Sequence, residues 1–158
     1  MDMKKFMRLI AAIAICQLIG FAGSLVTTPA IKTWYLTIKK APFNPPNWIF
    51  APVWTLLFIL MGIAAFLVWN KGLKKKKVTV ALYYFAVQLI LNFLWSFSFF
   101  GLHSPLLALI DIVFLWIFIF LTIKKFLPLS KLAGYLLFPY LFWVSFASIL
   151  NFFVWRLN

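Results

Sequence analysis

Five long stretches of the chain carry almost no polar residue: Leu9 to Val26, Asn47 to Trp69, Val78 to Leu102, Pro105 to Ile123 and Leu132 to Trp155. Four of them hold no charged residue at all. Each has 18 or more residues, and a helix rising about 1.5 Å per residue needs about 20 to cross a hydrocarbon layer about 30 Å thick. Lipid cannot hydrogen-bond to the backbone, so a spanning segment is either a helix or a strand of a closed barrel, and a barrel needs short alternating segments instead of these continuous runs. The pattern predicts an all-α integral membrane protein, a five-transmembrane-helix bundle forming a single membrane domain over residues 1–158. The spans are expected at about 6–26, 46–69, 78–101, 105–123 and 132–156, with a long first loop over 27–45.

Prolines interrupt this pattern in a way that needs explaining. The stretch FNPPNWIFAPVWT, Phe43 to Thr55, follows Pro42 and contains Pro45, Pro46 and Pro52. Asn44 is expected to cap a helix whose first turn holds Pro45 and Pro46, where backbone N–H groups lack intrahelical partners anyway. Pro52 then falls inside the helix and predicts a bend just before Trp54; Pro139 predicts another before Trp143, while Pro105 after Ser104 reads as an ordinary helix start. Two bends beside two tryptophans predict a shared hollow.

Composition fits the same solvent. With 66% hydrophobic and 11% charged residues the chain could not cover a water-facing surface, and its mean hydropathy is +1.05. The net charge of +13 comes from 15 Lys and Arg against two acids, but these cations sit at span ends, where lipid head groups are the nearer partner than nucleic acid. Lys4, Lys5, Arg8, Lys71, Lys74 to Lys77, Lys124, Lys125 and Lys131 lie on one side; Lys32, Lys39, Lys40 and Arg156 lie on the other. That bias places the N-terminus in the cytoplasm. The first span also begins like a signal peptide, yet it reads as a helix: Ala12, Cys16, Gly20 and Ser24 recur every four residues, a ridge along which a neighbouring helix can approach closely.

Ordinary enzyme chemistry has little to work with. One Cys, one His and two acids can form neither a disulfide nor a carboxylate pair, and no metal site or glycine-rich phosphate loop is expected. Aromatic surface is what abounds, with eight Trp, five Tyr and 20 Phe. Phe50, Trp54 and Phe58 share a face of the second span; Asn92, Trp95 and Phe99 share one on the third; Trp143, Ala147, Leu150 and Asn151 align on the fifth. Trp48, Trp69 and Trp155 lie near span ends as interface anchors. The deeper Trp54, Trp95 and Trp143 need partners for their indole N–H groups, which Asn92 and Asn151 can supply. Rings with a few amides suit a flat, hydrophobic ligand that carries heteroatoms.

WYLTIKKAPFNPPNWIFAPVWTLLFILMGIA, NFLWSFSFFGLHSPLLALIDI and PYLFWVSFASILNFFVWRLN resemble the tryptophan-rich sensory protein and translocator protein family (TspO/MBR), over nearly the whole chain. The resemblance implies a homodimeric membrane receptor or sensor that binds porphyrins, such as protoporphyrin IX or haem, and synthetic aromatic ligands in a pocket beneath the first loop, regulating tetrapyrrole levels or transport with no obligatory cofactor. By motif, Trp54, Asn92, Trp95 and Trp143 match pocket residues, and Tyr35 and Phe43 match the loop and junction that cover the ligand. Pro46, Phe50, Phe99, Phe146, Ala147 and Leu150, beside these motifs, complete the candidate ligand-binding set together with Asp111, which matches an acidic position in the family's L-I-D segment. Alternatives within the family are transport of porphyrins or other small hydrophobic molecules, and light-dependent porphyrin degradation ascribed to tryptophans matching Trp54 and Trp143. Phe152 stands where the cholesterol-recognition pattern of animal members has tyrosine, so dedicated cholesterol binding is not expected.

Asp111 is the one acid inside a span. Lying about 9 Å in from the helix start, it is expected to pair with Arg156 or a backbone amide. His103, in a short turn, reads as an ordinary polar loop residue, with ligation of an iron porphyrin the lesser alternative. The abundance of Lys, Phe and Ile points to a bacterial cell membrane, the alternative being the mitochondrial outer membrane.

Overall fold

The computed structural model describes residues 1–158. Helices α1 (Met3–Lys32), α2 (Trp34–Thr37), α3 (Phe50–Trp69), α4 (Lys76–Ser96), α5 (Pro105–Phe126), α6 (Lys131–Tyr135) and α7 (Phe138–Leu157) follow one another, and there is no strand. A single 3₁₀ turn at Asn47–Ile49 leads into α3, and a wider π-helical turn at Phe97–Gly101 continues α4. Five helical units are long and apolar enough to cross a membrane: α1, α3 with its leading turn, α4 with its trailing turn, α5, and α6 with α7. This is an integral membrane protein.

α1 packs on α3 and more lightly on α4; α4 packs on α5; α5 packs on α7; α6 touches both α3 and α5. α1 and α3 meet tightly at Gly62 of α3, where an added Cβ would stand 2.6 Å from the backbone Cα of Ile13. Ala12 and Cys16 are buried along this contact, and a Cβ on Gly20 would meet the Phe58 ring at 2.6 Å. The small-residue ridge of α1 is therefore used inside one chain and supplies no argument for a second copy. Small residues are needed here because lipid tails are as apolar as the side chains they would replace, so association depends on close van der Waals contact. The half of the bundle nearest the N-terminus is filled by residues such as Met61, Val68, Ile119 and Phe126, with Phe85 stacked on Phe126 at 5.7 Å. Arg8 donates to Asn70 Oδ1 at 3.2 Å and ties α1 to the end of α3 there.

The prolines act differently from the expectation. Pro45 and Pro46 precede the helix instead of opening it: Pro46 is extended, with φ −58° and ψ 143°. Asn44 caps nothing, because its carbonyl oxygen is taken by the Tyr35 hydroxyl. Pro52 is the third residue of α3 and Pro139 the second of α7, within first turns where a missing N–H has little cost. The bend expected near Trp143 is instead a two-residue interruption of the helix, at 136–137 between α6 and α7. Pro105 does open α5, behind a Ser104 side chain that accepts from Leu107 N. α1 also runs on through Pro29 to Lys32, beyond the expected span; Thr27 and Thr33 hydroxyls donate to backbone carbonyls on this last stretch.

Candidate functional site

The other half of the bundle is hollow. A cavity of about 380 Å³ lies between α1, α3, α4 and α7, beneath the loop that follows α1. Trp95 lies on its wall. The ring stacks on Phe99 at 5.6 Å and 25°, lies 6.5 Å from Trp54, and meets Phe100 edge-on at 6.0 Å. On the α7 side Trp143 meets Phe50 edge-on at 6.0 Å. These contacts are in the range where ring quadrupoles favour offset or edge geometry, so the wall is a set of locked planes.

The π-helical turn explains how Phe99 and Phe100 both reach this wall. Leu102 N bonds to Phe97 O at 2.8 Å, five residues back, and this wider winding shifts side chains out of α-helical register. Indole N–H groups are handled unequally. Trp95 Nε1 donates to Asn151 Oδ1 at 3.0 Å, while Asn151 Nδ2 donates to the Pro105 carbonyl at 2.8 Å. Trp143 Nε1 is buried with no partner. Asn92, expected to serve an indole, donates instead to the Tyr140 hydroxyl at 2.9 Å. A further indole, Trp116, donates to Ser145 Oγ at 2.8 Å between α5 and α7, away from the cavity.

The loop forms the roof. Tyr35 is buried and lines the cavity; its hydroxyl donates to Asn44 Oδ1 at 3.1 Å. Lys40 folds back over the Tyr35 ring at 4.6 Å, and its ammonium donates to the carbonyls of Tyr35 at 2.6 Å and Ile38 at 3.0 Å. The far end of the chain clips the same loop: Asn158 accepts from Lys39 N at 3.0 Å and donates to Lys39 O at 2.9 Å. Burial pushes the Tyr35 phenol above its ordinary value.

Of the residues singled out from the sequence, the fold brings Tyr35, Phe50, Trp54, Asn92, Trp95, Phe99, Trp143, Ala147 and Leu150 together around the cavity. Phe43, Pro46, Asp111 and Phe146 are not on its wall. Phe43 packs edge-on against Phe153 at 5.3 Å and near Phe146 at 6.4 Å, a cluster on another face of α7. Pro46 is exposed. Asp111 belongs to α5, which packs on α4 and α7 and contributes no residue to the wall. Nor does Asp111 pair with Arg156 or an amide: its Oδ2 is buried and unpartnered. His103 is likewise outside the cavity, with φ 51° and its ring stacked on Trp34 at 4.6 Å and 12°, so it offers no iron ligand there.

The α1 wall was not anticipated. Gln17, Gly20, Ser24, Thr27 and Ile31 line the cavity, and their spacing by three and four is a helical stripe visible in the sequence. Phe21, Ala51 and Thr55 line it too while being exposed. The side between α1 and α3 is thus open to the surroundings of the bundle, with Gln17 Nε2 donating to Thr55 O at 3.0 Å across it.

The aromatic motifs on these walls have counterparts in known proteins. The sequence profile of the TspO/MBR family matches residues 12–156. The chain belongs to the TspO/MBR family. Among its family relatives, the "Tryptophan-rich protein TspO" of Chlorobaculum tepidum is 52% identical over 98% of each chain. The protein of the same name from Archaeoglobus fulgidus is 46% identical over 96% of this chain and 97% of that one. The "Translocator protein" of Homo sapiens is 36% identical over 87% of this chain and 82% of its own.

Proposed function

We propose that this TspO/MBR protein is a membrane receptor or sensor for porphyrins and other flat aromatic ligands, held in the cavity between α1, α3, α4 and α7. The observation that carries the reading is the cavity itself, about 380 Å³ walled by Trp54, Trp95, Phe99 and Trp143. That volume lies at the lower end of pockets that take small-molecule ligands, so a tetrapyrrole extends through the open side between α1 and α3, with part of its ring system against the indoles. Names of relatives such as the "Tryptophan-rich sensory protein" of Cereibacter sphaeroides and the "Translocator protein" of Bos taurus support a sensing or ligand-handling role. The N-terminus lies in the cytoplasm, by the charge bias, and the membrane is a bacterial cell membrane. A homodimer remains part of the proposal on family resemblance alone.

The test is a titration of tryptophan fluorescence with protoporphyrin IX in detergent. Saturable quenching is expected, with affinity reduced about tenfold or more in Trp54→Phe and Trp143→Phe, since each removes ring area from the wall. Curves identical to wild type in both variants would remove the ligand from this cavity. A second reading, light-dependent porphyrin breakdown, is favoured by one feature: Trp54 and Trp143 both lie on the wall. It requires that illuminated samples bleach porphyrin faster than dark ones, and that Trp143→Phe abolish the difference.

A further inference from the structure

Behind the cavity wall three polar side chains form a line. Asn92 lines the cavity. Tyr140 and Gln88 do not, and each is 1% exposed. The Tyr140 hydroxyl accepts from Asn92 Nδ2 at 2.9 Å and donates to Gln88 Oε1 at 2.8 Å. Gln88 Nε2 is buried with no partner. Asn92 Oδ1, in contrast, accepts from no protein group and is not among the sealed atoms, which leaves it as the group Asn92 offers to the cavity. Asn151, also on the wall, offers nothing comparable, because both ends of its amide are engaged.

A tyrosine hydroxyl carries one proton, so this line has two settings. With the proton given to Gln88, the Asn92 amide turns its N–H toward Tyr140 and its carbonyl, an acceptor, toward the cavity. If the Gln88 amide rotates to donate, the hydroxyl proton passes to Asn92 Oδ1, and the Asn92 N–H group, a donor, faces the cavity. Either setting leaves one end of the Gln88 amide unpaired, Nε2 in the first and Oε1 in the second, so that cost does not separate them. The Tyr140 ring is fixed edge-on to Trp54 at 6.2 Å and 71°, so only the amides turn.

We propose that Tyr140 and Gln88 are positioning residues that set the hydrogen-bond polarity Asn92 presents, and that the setting found here selects flat aromatic ligands with an N–H or O–H donor at the edge facing Asn92. The proposal rests on reading the cavity as an aromatic-ligand site. Carbazole and 9-fluorenone test it: both are flat tricycles of similar outline, one carrying an N–H and the other a C=O. Their binding to the full chain in detergent is measured by calorimetry.

Wild type is expected to favour carbazole by about tenfold, roughly what one net hydrogen bond provides. Gln88→Leu removes the acceptor of the Tyr140 proton, which then goes to Asn92 Oδ1; the preference reverses toward fluorenone. Tyr140→Phe removes the line altogether and brings the ratio to about one, because Asn92 is free to turn either way. A purely structural role for either residue would weaken both ligands together and leave the ratio alone. That result, or the wild-type ratio in folded variants, overturns the proposal. Gln88→Met supplies the same arm if the leucine variant does not fold. Binding of neither tricycle to wild type overturns this proposal; the aromatic-ligand reading falls with it only if protoporphyrin IX also fails to quench the tryptophan fluorescence.

Discussion

Tyr35 shows how much one hydroxyl can do at the roof of the cavity. Its bond to Asn44 Oδ1 holds the loop against itself, and burial raises its pKa, so the neutral phenol that makes this bond is the form the fold favours. Stability from such a raised group is fully present below the ordinary tyrosine value of about 10 and is lost only as pH climbs through the higher folded value. Ligand affinity is therefore expected to be flat between about pH 6 and 9 as far as Tyr35 is concerned; Tyr35→Phe should speed ligand release several-fold in stopped-flow dissociation, an order set by one lost hydrogen bond. Asp111 is the opposite case. Half-buried, with an unpartnered oxygen and no place on the wall, it stabilises nothing visible in the fold, so Asp111→Asn should leave ligand affinity within about twofold and not lower the melting temperature. A tenfold loss of affinity would show that Asp111 acts on the ligand after all. Both residues were legible in the sequence as candidates, but not their fates, because a partner such as Asn44 or Arg156 is decided by where other segments arrive.

Among the helices, the contact of α1 with α3 depends on there being no side chain at Gly62. An added Cβ would sit 2.6 Å from Ile13 Cα, a backbone atom that cannot swing aside. Gly62→Leu should cost about 1 to 3 kcal/mol or more, as overpacking does, and be read as a lower melting temperature in detergent. A neutral result would mean that α1 is not packed this closely. Helix α5 offers a smaller test: Ser104→Ala removes the cap on Leu107 N, with an expected loss of about 1 kcal/mol. The helices themselves could be read from apolar run length alone. Their ends could not, since Pro52 and Pro139 were expected inside helices and lie in first turns; a proline forbids continuation upstream of itself but does not say on which side of it a helix begins.

For the molecule as a whole, the chain closes on itself where Asn158 bonds both backbone groups of Lys39, 119 residues away. Asn158→Ala should free the loop and raise trypsin cleavage after Lys39 and Lys40 several-fold in nanodiscs, because local opening exposes the backbone; unchanged cleavage would show that the loop is held by Tyr35 and Lys40 alone. The sequence by itself determined the solvent, the number of spans and the three aromatic faces, since those follow from run length and from a period of three to four residues that needs no knowledge of neighbours. Only the tertiary structure decided that those faces meet around a hollow, that α1 supplies its polar wall, that Phe43, Phe146 and Asp111 turn elsewhere, and that Asn92 answers to Tyr140 instead of an indole. Periodicity tells which residues share a side of one helix; which sides then face each other depends on how closely particular pairs such as Gly62 and Ile13 can approach.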